Sequence, residues 1–285
     1  MAEQKWMTEV RADSKLQFDI KGLLNCKDLI FLWVRREFVA KYKQTVLGPA
    51  WAIIQPFLTT VVYSVFFGDV AGLGAKGVPN FIFYLSGTVV WGLFAGSVTS
   101  NSNTFIANKG VFSKVYFPRL VMPIANAISQ FIAFFIQFVF MIGFLIFFVI
   151  TDAGVHPNIF AAMTPLIMIQ LALLGMGFGI IISALTTKYR DLQMLVGFGV
   201  SLWSYASPVA YDMFSRGSLM PGRTIYYIYM LNPVTPAINI FRYGWLGIGQ
   251  IDWIYYIISW VITIVVVVFG ILVFNKVEKT FVDTV

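Results

Sequence analysis

Six apolar stretches, each free of Asp, Glu, Lys, Arg and His, constrain this chain more than any other feature. They run approximately Trp51–Phe67, Phe81–Ser100, Leu120–Ile150, Ala161–Thr187, Leu192–Tyr211 and Trp253–Phe274. A bilayer core takes about 20 apolar residues as a helix, and each stretch is of that order. The third, about 30 residues or roughly 45 Å of helix, must tilt or project beyond the bilayer. Of the 285 residues only 12% are charged, against about 25% in ordinary soluble domains. So few charges cannot cover a water-facing globule, which excludes a soluble enzyme, a disordered chain and a fibrous protein. The expected fold is an all-α membrane protein with six transmembrane helices.

The connections set an expected orientation. Nine Lys/Arg lie in the first 45 residues, among them Arg35, Arg36, Lys41 and Lys43. Lys109, Lys114 and Arg119 lie between the second and third stretches, Lys188 and Arg190 between the fourth and fifth, and Lys276 and Lys279 follow the sixth. Only Lys76, Arg216, Arg223 and Arg242 fall on the other side, so sixteen of the twenty basic residues share one side. The positive-inside rule then places both termini in the cytoplasm. Because its basic residues sit at a membrane surface, the net charge of +7 does not point to nucleic acid. Met1 to Lys21 is polar and has no apolar core, so no signal peptide is expected.

Three regions follow: residues 1–49 as a cytoplasmic segment with an interface helix, 50–276 as the membrane domain, and 277–285 as a cytoplasmic tail. Leu23 to Lys43 reads as an amphipathic interface helix, with Leu23, Cys26, Ile30, Trp33, Val34 and Phe38 on one side and Lys21, Asp28, Arg35, Arg36 and Lys43 on the other. Gly48-Pro49 then breaks the chain before the first span. Between the fifth and sixth spans, residues 212–252 hold two short apolar runs, Ile225–Leu231 and Ala237–Gly247, separated by Asn232-Pro233-Val234-Thr235-Pro236. Neither run can span. A re-entrant helical hairpin dipping in from the outer face fits them, as does a partly apolar outer loop.

The stretch from Phe38 to Trp51, FVAKYKQTVLGPAW, followed by Gln55-Pro56, resembles polysaccharide-exporting ABC permeases. These are type-2 ABC transporter membrane subunits that move O-antigen, capsular polysaccharide or teichoic acid chains. Lys114-Val115-Tyr116-Phe117-Pro118-Arg119 resembles the family's first cytoplasmic loop, and Lys188-Tyr189-Arg190-Asp191 the loop before its fifth span. Asn232-Pro233 stands where such proteins turn between outer-face helices. The resemblance implies a non-enzymatic permease subunit of the bacterial inner membrane. It implies that two copies of this chain pair with two copies of a separate ATPase subunit, which binds ATP and Mg. The implied cargo is a lipid-diphosphate-linked polysaccharide, O-antigen-like, carried between the two copies as a step of lipopolysaccharide biosynthesis.

The residues fit a conduit powered from outside. No span carries the ionisable group that a proton- or sodium-coupled carrier uses, and no GxxxxGK[ST] motif binds nucleotide. By resemblance, Asn108, Lys109, Phe112 and Lys114 would form the main coupling contact with the ATPase, and Lys188, Tyr189, Arg190 and Asp191 a second. Simple positive-inside loops would carry the same charges. Sugar rings stack their C–H faces on aromatic side chains, so Tyr63, Phe66, Tyr84, Trp91, Phe94, Phe198, Trp203 and Tyr205 are candidates for a polymer path, with helix packing as their other use. Arg35, Arg36, Lys41 and Lys43 would attract a diphosphate or ordinary anionic membrane lipids. Tyr227, Asn232, Pro233 and Pro236 are candidates for an outer gate.

Gln130 and Gln137 read as interhelical hydrogen-bonding groups, and Gly175, Gly179 and Ser183 as a small-residue packing row. One cysteine, Cys26, allows no internal disulfide, and one histidine, His156, gives little basis for a metal site. The same architecture would also suit export of drugs or small lipids. A membrane enzyme acting on lipid-linked sugars would need acidic or histidine groups at the membrane face. Few are available there: Asp69, Asp152, His156, Asp212 and Asp252.

Overall fold

A computed structural model of the chain describes residues 26–43, 45–112, 117–187, 189, 191–214 and 224–283, with side chains left out for Lys109, Phe112 and 278–283. Leu23, Lys21, Lys114, Lys188, Arg190, Arg216 and Arg223 therefore lie outside the described residues. So do the side chains of Lys109, Phe112 and Lys279. Among the described residues every regular element is helical.

Helix α1, Lys27–Tyr42, begins with Asp28 and ends with Lys41, so both charges favour the helix dipole. Trp33, Val34 and Tyr42 are buried, and Ile30 and Cys26 pack beside the first two. Trp33 and Val34 rest on the start of the long third span, so the helix is docked on protein, while Phe31, Leu32 and Val39 stay exposed. Gly48 turns the chain at φ +52°, a conformation that costs a residue with a Cβ, and Pro49 opens a 3₁₀ turn, Gly48–Ala50. Helix α2, Trp51–Tyr63, follows and relaxes into a π-helical segment, Ser64–Val70. Pro56 inside α2 offers no N–H, but the Thr60 hydroxyl donates to its carbonyl at 2.7 Å.

Helix α3, Asn80–Ser102, is the central post. Two short helices, α4 (Thr104–Ala107) and α5 (Lys109–Phe112), lead toward α6, Val121–Ile150. A 3₁₀ turn, Ile159–Met163, opens α7, Thr164–Thr186, and then come α8 (Leu192–Tyr205), α9 (Thr224–Met230), α10 (Val234–Leu246) and α11 (Trp253–Asp283). Among the described residues five helical segments are long and apolar enough to cross a membrane: Gly48–Val70, Asn80–Ser102, Val121–Ile150, Ile159–Thr186 and Trp253–Val277.

The small-residue row on α7 works as expected. A Cβ on Gly175 would lie 2.7 Å from the Phe94 carbonyl, and one on Gly179 2.9 Å from the Val98 carbonyl, so α3 and α7 touch backbone to backbone. Ser183 ends the row by accepting a hydrogen bond from the Phe105 N–H at 3.2 Å. The other face of α7 meets α11 through Gly177, whose Cβ would lie 3.1 Å from the Val267 nitrogen.

The fifth expected span is shorter than its apolar stretch. Helix α8 stops at Tyr205, and residues 206–209 form turns instead of continuing to Tyr211. Fourteen residues make about 21 Å of helix, less than a hydrocarbon core. Two forces end it. Pro208 cannot donate to a helical ladder, and the carbonyls of Pro208 and Val209 are taken by the Arg242 guanidinium.

The two short runs before the last span do form two short helices, α9 and α10, joined through Asn232 and Pro233. Helix α10 is buried along most of its length against α3, α7 and α11, and Gly247 caps it at φ +73°. The short connection after α6 is stitched to it. Asn158 donates from its amide to the Tyr243 carbonyl at 2.7 Å, and the backbone N–H groups of His156 and Asn158 donate to Leu246 and Gly244.

Candidate functional site

Four helices, α2, α3, α6 and α8, enclose a groove of about 620 Å³ whose lining also includes Lys41 and Tyr42 of α1 and Val209 from the turns after α8. Its walls alternate aromatic faces with uncharged polar tips. Trp51, Tyr63, Trp91, Phe134 and Tyr205 supply rings, and Gln55, Thr59, Thr88, Thr99, Gln130, Gln137, Ser201 and Ser204 supply hydroxyls and amides. Among the described residues Lys41 of α1 is the one charged member of the lining. Tyr42 beside it is buried, and burial pushes its phenol above the usual tyrosine value, so it stays protonated. Such a surface offers stacking and neutral hydrogen bonds without a charged pocket.

The structure divides the aromatic candidates. Tyr63, Trp91 and Tyr205 line the groove. Tyr84 and Phe94 are completely buried in the main core, where Phe94 packs edge-on against Trp203 at 5.0 Å and Tyr84 against Tyr63 at 6.2 Å. They support the groove wall from behind. Trp203 is half-buried and donates from its indole N–H to Asn232 Oδ1 at 3.2 Å. Phe66 and Phe198 project outward from the single chain, 61% and 64% exposed.

Asn232, a gate candidate, is a four-bond hub. Besides accepting from Trp203 it accepts from the Val234 N–H at 3.2 Å and donates to the Ala206 carbonyl at 3.0 Å and the Ser207 hydroxyl at 2.9 Å. It thereby ties the α9–α10 turn to the end of α8. Pro233 and Pro236 are buried beside it, and Tyr227 is exposed. The Pro233 carbonyl accepts from Ser259, which in turn accepts from Gln170 at 2.5 Å.

At the opposite end of the bundle, Asn108 is buried and its amide donates to the Thr104 carbonyl at 3.0 Å. Tyr189 and Asp191 are exposed. The other coupling candidates lie outside the described residues or have undescribed side chains. On α1, Arg35, Arg36, Lys41 and Lys43 are exposed. Arg36 lies 4.2 Å over the Trp33 ring, and Lys41 5.6 Å from the Tyr42 centroid.

Sequence reasoning missed two features. Gln130 and Gln137, expected to bond to neighbouring helices, have no hydrogen-bond partner among the described residues and face the groove. Arg242, counted only as an outer-side charge, is buried at the centre of the fold. It donates to the carbonyls of Pro208, Val209 (3.0 Å) and Phe83 (3.3 Å) and to the Ser86 hydroxyl (3.4 Å), and lies 3.8 Å over the Phe83 ring. Its signal in the sequence was a lone Arg amid an apolar, amphipathic run. Among the described residues no group of three or more His, Cys, Asp or Glu comes together to hold a metal ion.

A bundle of long apolar helices around a ring-and-hydroxyl groove is the architecture of a membrane conduit. The sequence profile of the ABC-2 type transporter family matches residues 28–246, and the chain belongs to that family. It is similar to two O-antigen export system permease proteins RfbA from Klebsiella pneumoniae. Each is 28% identical, over 258 and 262 residues, which cover 90% of this chain and 94% of each relative. A protein of the same description from Myxococcus xanthus is 25% identical over 195 residues, 68% of this chain and 72% of that relative.

Proposed function

We propose that this chain is the membrane-spanning subunit of an ATP-driven exporter of lipid-linked, O-antigen-like polysaccharide. The observation that carries the reading is the groove. Its aromatic faces and uncharged hydrogen-bonding tips run along helices that hold no charged residue, which is the chemistry a glycan chain needs. The likeness to O-antigen export permeases over nine-tenths of the chain supports it.

In this reading the membrane holds six crossings, with α8 and the turn after it as the fifth, and α9 and α10 form a re-entrant hairpin on the outer side. Both termini are cytoplasmic in the inner membrane. Two copies pair, with Phe66 and Phe198 on outward faces available to the partner, and the glycan passes between them. Two ATPase subunits, which bind ATP and Mg, dock on the loops around Asn108–Lys114 and Lys188–Asp191 and move the spans through α4 and α5. The basic face of α1 gathers the diphosphate headgroup at the mouth of the groove. This chain contributes no catalytic residue; it binds, orients and releases.

Deleting the gene in its host tests the reading. The expected result is loss of the surface polysaccharide and accumulation of lipid-linked glycan at the inner face, both reversed by the wild-type gene. An affinity-tagged chain should also bring down an ATPase subunit. Unchanged surface polysaccharide in the deletion strain would refute it.

A further inference from the structure

The glutamines of α6 point to which glycans the groove accepts. Gln130 and Gln137 stand seven residues apart, two helical turns or about 10.5 Å along the axis, on the same side of α6. Each is packed against a glycine of α3. A Cβ on Gly96 would lie 2.4 Å from Gln130 Oε1, and one on Gly92 3.3 Å from Gln137 Oε1. The two glycines are four apart, so α3 offers one notch per amide on a single face.

Buried or half-buried amides inside a membrane protein normally bond to a neighbouring helix. Among the described residues these two do not, although Asn126 one turn earlier on α6 bonds to Ser100, Asn101 and Thr104. Their donors and acceptors are left for whatever occupies the groove. Trp91 of α3 and Tyr205 of α8 line the same groove and offer ring faces.

Resting on the export reading above, we propose that Gln130 and Gln137 form an amide ladder that selects an uncharged glycan segment several residues long. An amide can donate to one hydroxyl or acetamido oxygen and accept from another, so it matches neutral sugars of many kinds. The spacing spans more than one ring, so the ladder engages a chain and not a monosaccharide. A polymer bearing a phosphate or carboxylate on each repeat finds no cation but Lys41 among the described residues of the lining, and its other charges would enter the groove unpaired.

The test uses the full chain in lipid nanodiscs and measures binding of two probes, a linear neutral glucan oligosaccharide and an oligogalacturonate of equal length. The glucan should bind at least about tenfold tighter than the oligogalacturonate. The double substitution Gln130→Leu and Gln137→Leu should weaken glucan binding by about tenfold or more, the loss expected for two neutral hydrogen bonds. Equal binding of the two probes, or glucan binding that the double substitution leaves unchanged, overturns the proposal. The two-probe comparison on the unmodified chain needs no variant and stands even where the leucines impair folding. Either overturning result in a host that loses its surface polysaccharide on deletion removes the selectivity and leaves export intact. Retained surface polysaccharide on deletion removes the export reading beneath both.

Discussion

Replacing Arg242 with Met keeps the unbranched stem of the side chain and removes its charge and its donors. Four acceptors are affected, but unequally. Phe83 lies within α3 and its carbonyl keeps its place in the helical ladder, and Ser86 donates to that carbonyl at 2.7 Å in any case. Pro208 and Val209 lie in the turns after α8, where Arg242 supplies their side-chain donor. Leaving two buried carbonyls unsatisfied costs about 1–3 kcal/mol each, and the lost stacking on Phe83 adds about 1–2 kcal/mol. Against this, a guanidinium no longer has to be desolvated, a relief of several kcal/mol. The balance is a loss of about 2–4 kcal/mol, which for a chain of this size lowers the melting temperature by roughly 5–10 °C. Arg242→Lys should fall between the two, because an ammonium cannot reach both carbonyls with the planar fork. Thermal unfolding in detergent measures the total, and hydrogen exchange locates it, with protection lost first at residues 206–210. A Met variant that melts with the parent, or one whose exchange rises evenly along the chain, refutes the argument.

Three further outcomes are expected. Tyr84→Ala should cost about 3–5 kcal/mol of stability because it empties a fully buried site, whereas Trp91→Ala, half-buried on the groove wall, should leave melting nearly unchanged and reduce polysaccharide export; matched melting for the two would contradict this assignment. Gly179→Ala should destabilise by about 1–3 kcal/mol through its clash with the Val98 carbonyl, while Gly143→Ala, with open space around its Cβ, should be neutral or slightly stabilising in the same melting assay. Burial and a hydrogen bond to Asp252 hold the Tyr226 phenol above its ordinary value of 10.0, so the folded state resists deprotonation longer than the unfolded chain; stability is then full below about pH 10 and falls as pH rises above it, and Tyr226→Phe should flatten that alkaline fall in a pH-dependent melting series.

Most of the architecture was legible because the bilayer makes local sequence decisive. A span must close all its backbone bonds internally, so a run of uncharged apolar residues has few options besides helix. Leu120–Ile150 and Phe81–Ser100 were therefore readable to within a residue or two of α6 and α3. The glycine row on α7 was legible for a related reason: only close backbone contact rewards three small residues at four-residue spacing. The fifth expected span outruns its helix at one end, because the apolar run continues past Tyr205. What stops α8 is Pro208 together with a guanidinium 33 or 34 residues further along the chain, and no local window contains that second cause.

The groove was only half legible, and the failure has one origin. Hydrophobic periodicity separates helix faces when one face meets water, but α3 carries almost no periodic signal because it is surrounded by protein and apolar on every side. Tyr84, Trp91 and Phe94 therefore looked equivalent. The fold assigns Tyr84 and Phe94 to the core and Trp91 to the groove. The glutamines were misread for the complementary reason. In a membrane the default partner of an amide is another helix, and only the placement of Gly92 and Gly96 reveals that α3 offers Gln130 and Gln137 room instead of a hydrogen bond. Val209 joins the two hidden features, since it lines the groove and gives its carbonyl to Arg242. Any displacement of α10 must therefore break that bond or carry this part of the groove lining with it, so the Arg242 variants should alter export even where the protein remains folded.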